Sequence, residues 1–169
     1  MRSCTQLGLV TYVPFLYVDA LGLDPRVVGP LLFLFLGAGA VGTLAGGPIA
    51  DPWGPRRYLV ASLLLSAPLI AVFLWRPGGW LAAAILAVTG FVLVSSFSVT
   101  VALGQAYLPR HLGMAAGLIV GLAIGTGGLG VTALGWIADH WGLYAALRLV
   151  MVLPLAGLAF AFCLPEPRP

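Results

Sequence analysis

Charged residues are almost absent from six long stretches of this chain, and that most constrains what it can fold into. Read between charged or Pro/Gly-rich breaks, the apolar runs are about Thr5 to Leu23, Val27 to Ala50, Tyr58 to Trp75, Trp80 to Leu103, Met114 to Ala138 and Leu143 to Leu164. A helix of roughly 20 apolar residues crosses a bilayer core. None of the runs carries the charged stripe that a buried helix of a water-soluble protein needs on its outer face. None alternates with the period of two expected of a membrane β-barrel strand. The 169 residues are 61% hydrophobic and 8% charged, too little polar surface to cover a water-soluble globule. The expected fold is therefore an all-α membrane protein of six transmembrane helices, one domain over residues 1–169.

The same scarcity excludes several functions. All eight basic residues are Arg and they are scattered, so no basic run follows a nucleic-acid backbone. Cys4 and Cys163 lie near opposite ends of the chain in apolar sequence and read as inert small residues. His111 and His140 are placed in loops, exposed to solvent. There is no Gly-x-Ser-x-Gly, no phosphate-binding loop, no His-Glu-x-x-His and no pair of intramembrane carboxylates, so no catalytic site, metal or cofactor is expected. The start, Met-Arg-Ser-Cys-Thr-Gln, runs straight into the first span without a small-residue cleavage site, so that span can itself act as the insertion signal.

The chain repeats itself at an offset of 88 residues. Gly29 to Gly54 and Gly117 to Gly142 share 12 identities in 26 ungapped positions, six of them Gly. The segment Gly-x-Ile-Ala-Asp-x-Trp-Gly occurs in both copies, at Gly47–Gly54 and Gly135–Gly142. Each unit, about 1–79 and 80–169, holds three spans. An odd number makes the second unit enter the membrane from the opposite side, an inverted repeat of the kind that places transporter sites near the midplane.

Within each unit the helices differ in kind. The middle ones, two and five, are crowded with Gly (Gly37, Gly39, Gly42 and Gly46; Gly121, Gly125 and Gly128), which suits close backbone packing in lipid. The third and sixth are mostly Leu, Val, Ala and Phe and suit lipid contact. The first and fourth carry the polar residues. Tyr12 and Asp19, with Thr5, recur every seven residues on helix one; Thr89, Ser96 and Thr100 share a face of helix four. A polar stripe in lipid faces the bundle interior or a water-filled cavity, so these residues are the candidate cavity lining. A carboxylate inside a span, such as Asp19, is a proton-coupling candidate. So close to Asp24-Pro25, however, Asp19 reads first as an interfacial, solvated group.

The loop Gly47-Pro-Ile-Ala-Asp51-Pro-Trp-Gly54-Pro-Arg56-Arg57 resembles the signature loop of the major facilitator superfamily, Gly-x-x-x-Asp-Arg/Lys-x-Gly-Arg-Arg/Lys. It departs from that pattern at Pro52, where the family carries a basic residue. The run Gly104-Gln-Ala-Tyr-Leu-Pro-Arg110 with Gly113-Met-Ala-Ala-Gly117, and the run Gly8-Leu-Val-Thr-Tyr-Val-Pro14, look like exporters of the fosmidomycin-resistance type. The similarity covers the C-terminal six-helix half of a twelve-helix protein. It implies a transporter, proton-coupled and exporting a small molecule or drug by alternating access. Gly47, Asp51, Gly54, Arg56 and Arg57 would form the gating loop, and Gly135, Asp139 and Gly142 its repeat counterpart. It implies a bacterial inner (plasma) membrane, both termini cytoplasmic, which leaves Arg2, Arg56, Arg57, Arg110 and Arg168 inside against Arg26, Arg76 and Arg148 outside. It implies as partners the lipid bilayer, a small-molecule substrate, and either a separate N-terminal half or a second copy. A non-transporting truncated fragment or interaction subunit is the alternative.

Overall fold

A computed structural model describes residues 1–162. It contains six α-helices: α1 (Arg2–Phe15), α2 (Val28–Trp53), α3 (Pro55–Trp75), α4 (Gly79–Tyr107), α5 (Leu112–Trp141) and α6 (Leu143–Phe162). The last two positions of the sixth expected span, with Cys163 and Arg168, lie outside the described residues.

α2, α4 and α5 each run a few residues past the expected ends. The apolar pattern marks where a helix enters lipid, whereas hydrogen bonding continues through polar turns such as Gly104–Tyr107. His140, expected in a loop, sits in the last turn of α5, although it is exposed there. Its ring stacks on Trp136 at 4.4 Å, with Nδ1 2.9 Å from the Trp136 carbonyl oxygen.

Two of the turns are single glycines. Gly54 and Gly142, equivalent in the repeat, hold φ of 84° and 85°, a left-handed conformation that strains any residue with a Cβ. Each ends one helix and lets the next begin at once, so the neighbours run antiparallel.

The units interlock. The largest interface in the molecule is α2 against α4, and its counterpart is α5 against α1. Each Gly-rich middle helix therefore packs on the polar first helix of the other unit. α3 leans on α4, α6 on α1, and α3 and α6 meet each other behind them. The main core lies between these layers, around Leu9, Leu16, Phe35, Phe73, Leu86 and Leu147.

Among the described residues, five helices are long and apolar enough to cross a membrane, and α1 is not one of them. It continues through a π-helical turn, Leu16–Ala20, but its Arg2, Gln6 and Asp19 reduce its hydropathy. Its register is also offset. Cys4 donates to the Thr126 carbonyl at 3.2 Å and Tyr12 to the Val131 carbonyl at 3.0 Å. Thr126 is at the middle of α5, about 20 Å from Leu112 at 1.5 Å per residue. The turns of α4 and α5 nearest the loop that joins them thus run on past the start of α1. With α3 and α6 they surround a cavity of about 530 Å³ beneath Met1, lined mainly by apolar side chains including Leu63, Leu103, Ile119 and Phe160.

Candidate functional site

Of the polar residues expected to line a cavity, most are turned into the bundle, where Ser96 and Thr100 border the cavity of about 530 Å³. Thr89 and Ser96 are fully buried. Their hydroxyls donate to carbonyls of their own helix, Thr89 to Ile85 at 2.7 Å and Ser96 to Leu93 at 2.7 Å, and half-buried Thr100 donates to Ser96 at 2.7 Å. A hydroxyl in lipid reaches first for the carbonyl three or four residues back, so the sequence stripe marks an internal face. Tyr12 is buried as well. Its hydroxyl reaches the Val131 carbonyl because Gly135, four residues further along α5, has no side chain in the way; a Cβ there would lie 3.3 Å from the hydroxyl oxygen.

Asp19 does not share a face with Thr5 and Tyr12. Both of those are buried, whereas Asp19 is exposed. The π turn from Leu16 to Ala20 winds more residues per turn than an α-helix and rotates Asp19 off the common face. In the same turn Tyr17 is buried, stacked on Phe73 at 6.3 Å, with no hydrogen-bond partner for its hydroxyl among the described residues.

The motif loop sits at the turn between α2 and α3. Asp51 occupies the last turn of α2 and is exposed; among the described residues it makes no hydrogen bond or ion pair. Asp51, Trp53, Arg56 and Arg57 edge an open cavity of about 380 Å³. Arg56 donates to the carbonyl of Phe162 at 2.6 Å, fastening the loop to the end of α6, and Arg57 is exposed. A Cβ on Gly47 would meet no neighbour within 4 Å. In the repeat copy Asp139 is also exposed, and Gly135 is the residue that clears Tyr12.

The polar group on the open face is one that the periodicity argument did not select. The Arg2 guanidinium donates to Gln6 Oε1 at 2.9 Å and to Ser3 Oγ at 3.0 Å, and lies 4.7 Å from the centroid of the Phe97 ring. A cavity of about 260 Å³ between α1, α4 and α5 is lined by Arg2, Gln6, Val94, Phe97 and Ile124. The sequence signal was the four-residue spacing of Arg2 and Gln6, which puts them on one helix face. Phe97 had no such signal.

The major facilitator superfamily model matches residues 2–169. The chain belongs to the major facilitator superfamily. Among curated relatives, it is 42% identical over 155 residues to the uncharacterized MFS-type transporter YfnC of Bacillus subtilis (strain 168), covering 92% of this chain and 37% of that protein. It is 35% identical over 161 residues to the fosmidomycin resistance protein of Escherichia coli (strain K12), covering 95% of this chain and 39% of that protein. The chain therefore spans under two fifths of the length of these relatives. No solved structure matches it. Superfamily membership and the all-helical membrane fold agree with the loop motif and the apolar spans.

Proposed function

We propose that this six-helix unit is one half of a major facilitator exporter, which moves a small molecule by alternating access together with a second half. The exposed face of α5 carries this reading. Only 11% of its most apolar stretch is buried, against 44% for α3 and for α4. Gly113, Gly117, Gly121, Gly125 and Gly128 form a continuous edge along it, and a Cβ on any of them would meet nothing within 4 Å. Small residues at a helix surface in lipid permit close approach of another helix. Asp51 and Arg57 stand at the same end of the bundle with no carboxylate–arginine partner among the described residues, as expected of a loop that meets a second half. The likeness to the fosmidomycin resistance protein supports export of a drug-like molecule, and exposed Asp19 is the candidate for coupling to protons.

On this reading the bilayer is a bacterial inner membrane, with the α2–α3 turn, the α4–α5 loop and both termini on the cytoplasmic side. The test is flux into proteoliposomes by the chain alone and by the chain joined with a six-helix N-terminal half. Transport by the pair and not by the chain alone is expected. Asp51→Ala should lower the pair's flux at least tenfold while insertion is unchanged; undiminished flux would remove Asp51 from the gate. The second reading is a six-helix unit that does not transport. A pair that assembles without carrying flux would support it.

A further inference from the structure

We propose that the groove between the start of α3 and the end of α6 binds one anionic glycerophospholipid, with its phosphate on Arg56 and Arg57 and an acyl chain along Val60, Ala61 and Leu64. The site requires only the membrane fold and is independent of the transporter reading.

The groove is a cavity of about 370 Å³ lined by Arg56, Arg57, Val60, Ala61, Leu64 and Phe162. Two guanidinium groups therefore border a channel whose other walls are apolar. Arg57, Ala61 and Leu64 recur at spacings of four and three residues, which puts them on one face of α3. All three are exposed. Ala61 has the smallest side chain of the lining, so a larger residue there would fill the groove.

Depth separates the two kinds of wall. Arg56 and Arg57 lie in the first turn of α3, directly after the Gly54 turn. Trp53, on the other side of that turn, is exposed, as expected of a ring at headgroup level. Leu64 is seven residues beyond Arg57, about 10 Å further into the span. An occupant meets cations at the surface and apolar side chains below them, which is the amphipathic order of a phospholipid. A hydrated inorganic anion would leave the apolar length of the groove unused.

Charge gives the sign of the head. Arg56 donates one N–H to the Phe162 carbonyl at 2.6 Å, out of the five that a guanidinium carries. That bond draws Arg56 across to α6, whereas an arginine that only snorkels extends toward water. Among the described residues, no carboxylate pairs with Arg56 or Arg57. The first turn of α3 holds no acidic residue, and its cap, Gly54, has no side chain to offer. Two cations at the positive end of a helix dipole are unfavourable by themselves, and a phosphate between them offsets both terms. The planar fork of arginine matches two phosphate oxygens.

The test is native mass spectrometry of the full chain released from neutral detergent. It is titrated with dioleoyl phosphatidylglycerol and with dioleoyl phosphatidylcholine, which has the same chains and no net charge. One phosphatidylglycerol should bind at least fivefold more tightly than phosphatidylcholine. Arg57→Gln should weaken phosphatidylglycerol at least threefold and leave phosphatidylcholine unchanged. Ala61→Phe, which fills the groove and keeps both charges, should weaken phosphatidylglycerol to a similar degree. Arg110→Gln, on the α4–α5 loop at the same end of the bundle, should have no effect, and glycerol phosphate should not displace the lipid. Arg57 is chosen over Arg56 because its loss breaks no hydrogen bond among the described residues. If Arg57→Gln does not fold, as judged by helicity and melting, Ala61→Phe decides the matter. Equal affinity for the two lipids would overturn the proposal, as would unaltered binding in Arg57→Gln or Ala61→Phe. An equal loss with Arg110→Gln would mean diffuse surface charge instead of a site. Displacement by glycerol phosphate would mean a site for a soluble anion, and either result would likewise overturn it.

Discussion

The two equivalent helix pairs of the repeat, α2 on α4 and α5 on α1, are built from similar sequence and pack differently. Between α2 and α4 the backbones themselves meet. A Cβ on Gly42 would strike the main chain of Phe91, one on Gly90 the main chain of Phe35, and one on Gly46 would come within 2.6 Å of the Ser95 carbonyl oxygen. Between α5 and α1 the glycines meet side chains instead. Gly130 faces Cys4, and Gly127 faces Leu7 and Ser3. The gap is spanned by two side-chain-to-carbonyl hydrogen bonds, from Cys4 and Tyr12. One pair is a fixed backbone clasp and the other an adjustable side-chain seam. On the proposed reading both kinds of contact have a use, since rigid parts that move against one another need interfaces that can readjust.

Five substitutions would break or sharpen that contrast. The largest effect is expected from Gly42→Val, whose branched side chain has only immovable backbone to displace. Overpacking of this kind costs about 3 kcal/mol, read as a lowered unfolding midpoint in detergent, and a wild-type midpoint would show that the clasp does not form. Gly130→Val, at the repeat-equivalent position, should cost about 1 kcal/mol, because the Cys4 side chain can yield. In a Cys4→Ala background that cost should shrink, whereas Cys4→Ala should leave the Gly42→Val defect untouched. Tyr12→Phe removes one interhelical hydrogen bond and should destabilise the seam by about 0.6 kcal/mol, the average for such bonds in membranes. Smallest of all, Gly125→Val on the open face of α5 should leave the melting of this chain unchanged. Its effect should show only as weakened association with a second half in cross-linking; a destabilised monomer would mean that the face is already packed.

The repeat reads directly from Gly29–Gly54 and Gly117–Gly142, and Gly54 and Gly142 do adopt the same left-handed turn. Composition divided the helices into three types, but α3, expected to suit lipid contact, is as buried as α4. The use of each glycine was not visible in the sequence. Gly39, Gly42 and Gly46 on α2 are consumed inside the chain by α4, whereas Gly117, Gly121 and Gly125 on α5 are left open. A Gly-x-x-x-Gly spacing says that something can approach closely, and it does not say what. The polar stripe has two sides: Ser96 and Thr100 border the cavity of about 530 Å³, yet the hydroxyls are turned back onto their own helix. Thr89 and Ser96 satisfy themselves on their own helix, so their periodicity identified a face without showing which way it turned. The π turn that displaced Asp19 has no signature in the local sequence.

The sequence by itself determined an all-helical membrane chain, its inverted repeat and its superfamily, because lipid leaves the backbone only internal hydrogen bonding and tolerates little charge. Tertiary structure alone decided which helix faces are spent on each other and that Arg2 rests on Phe97 between the two units. Those outcomes depend on register, and register is set by how side chains from distant parts of the chain fit together.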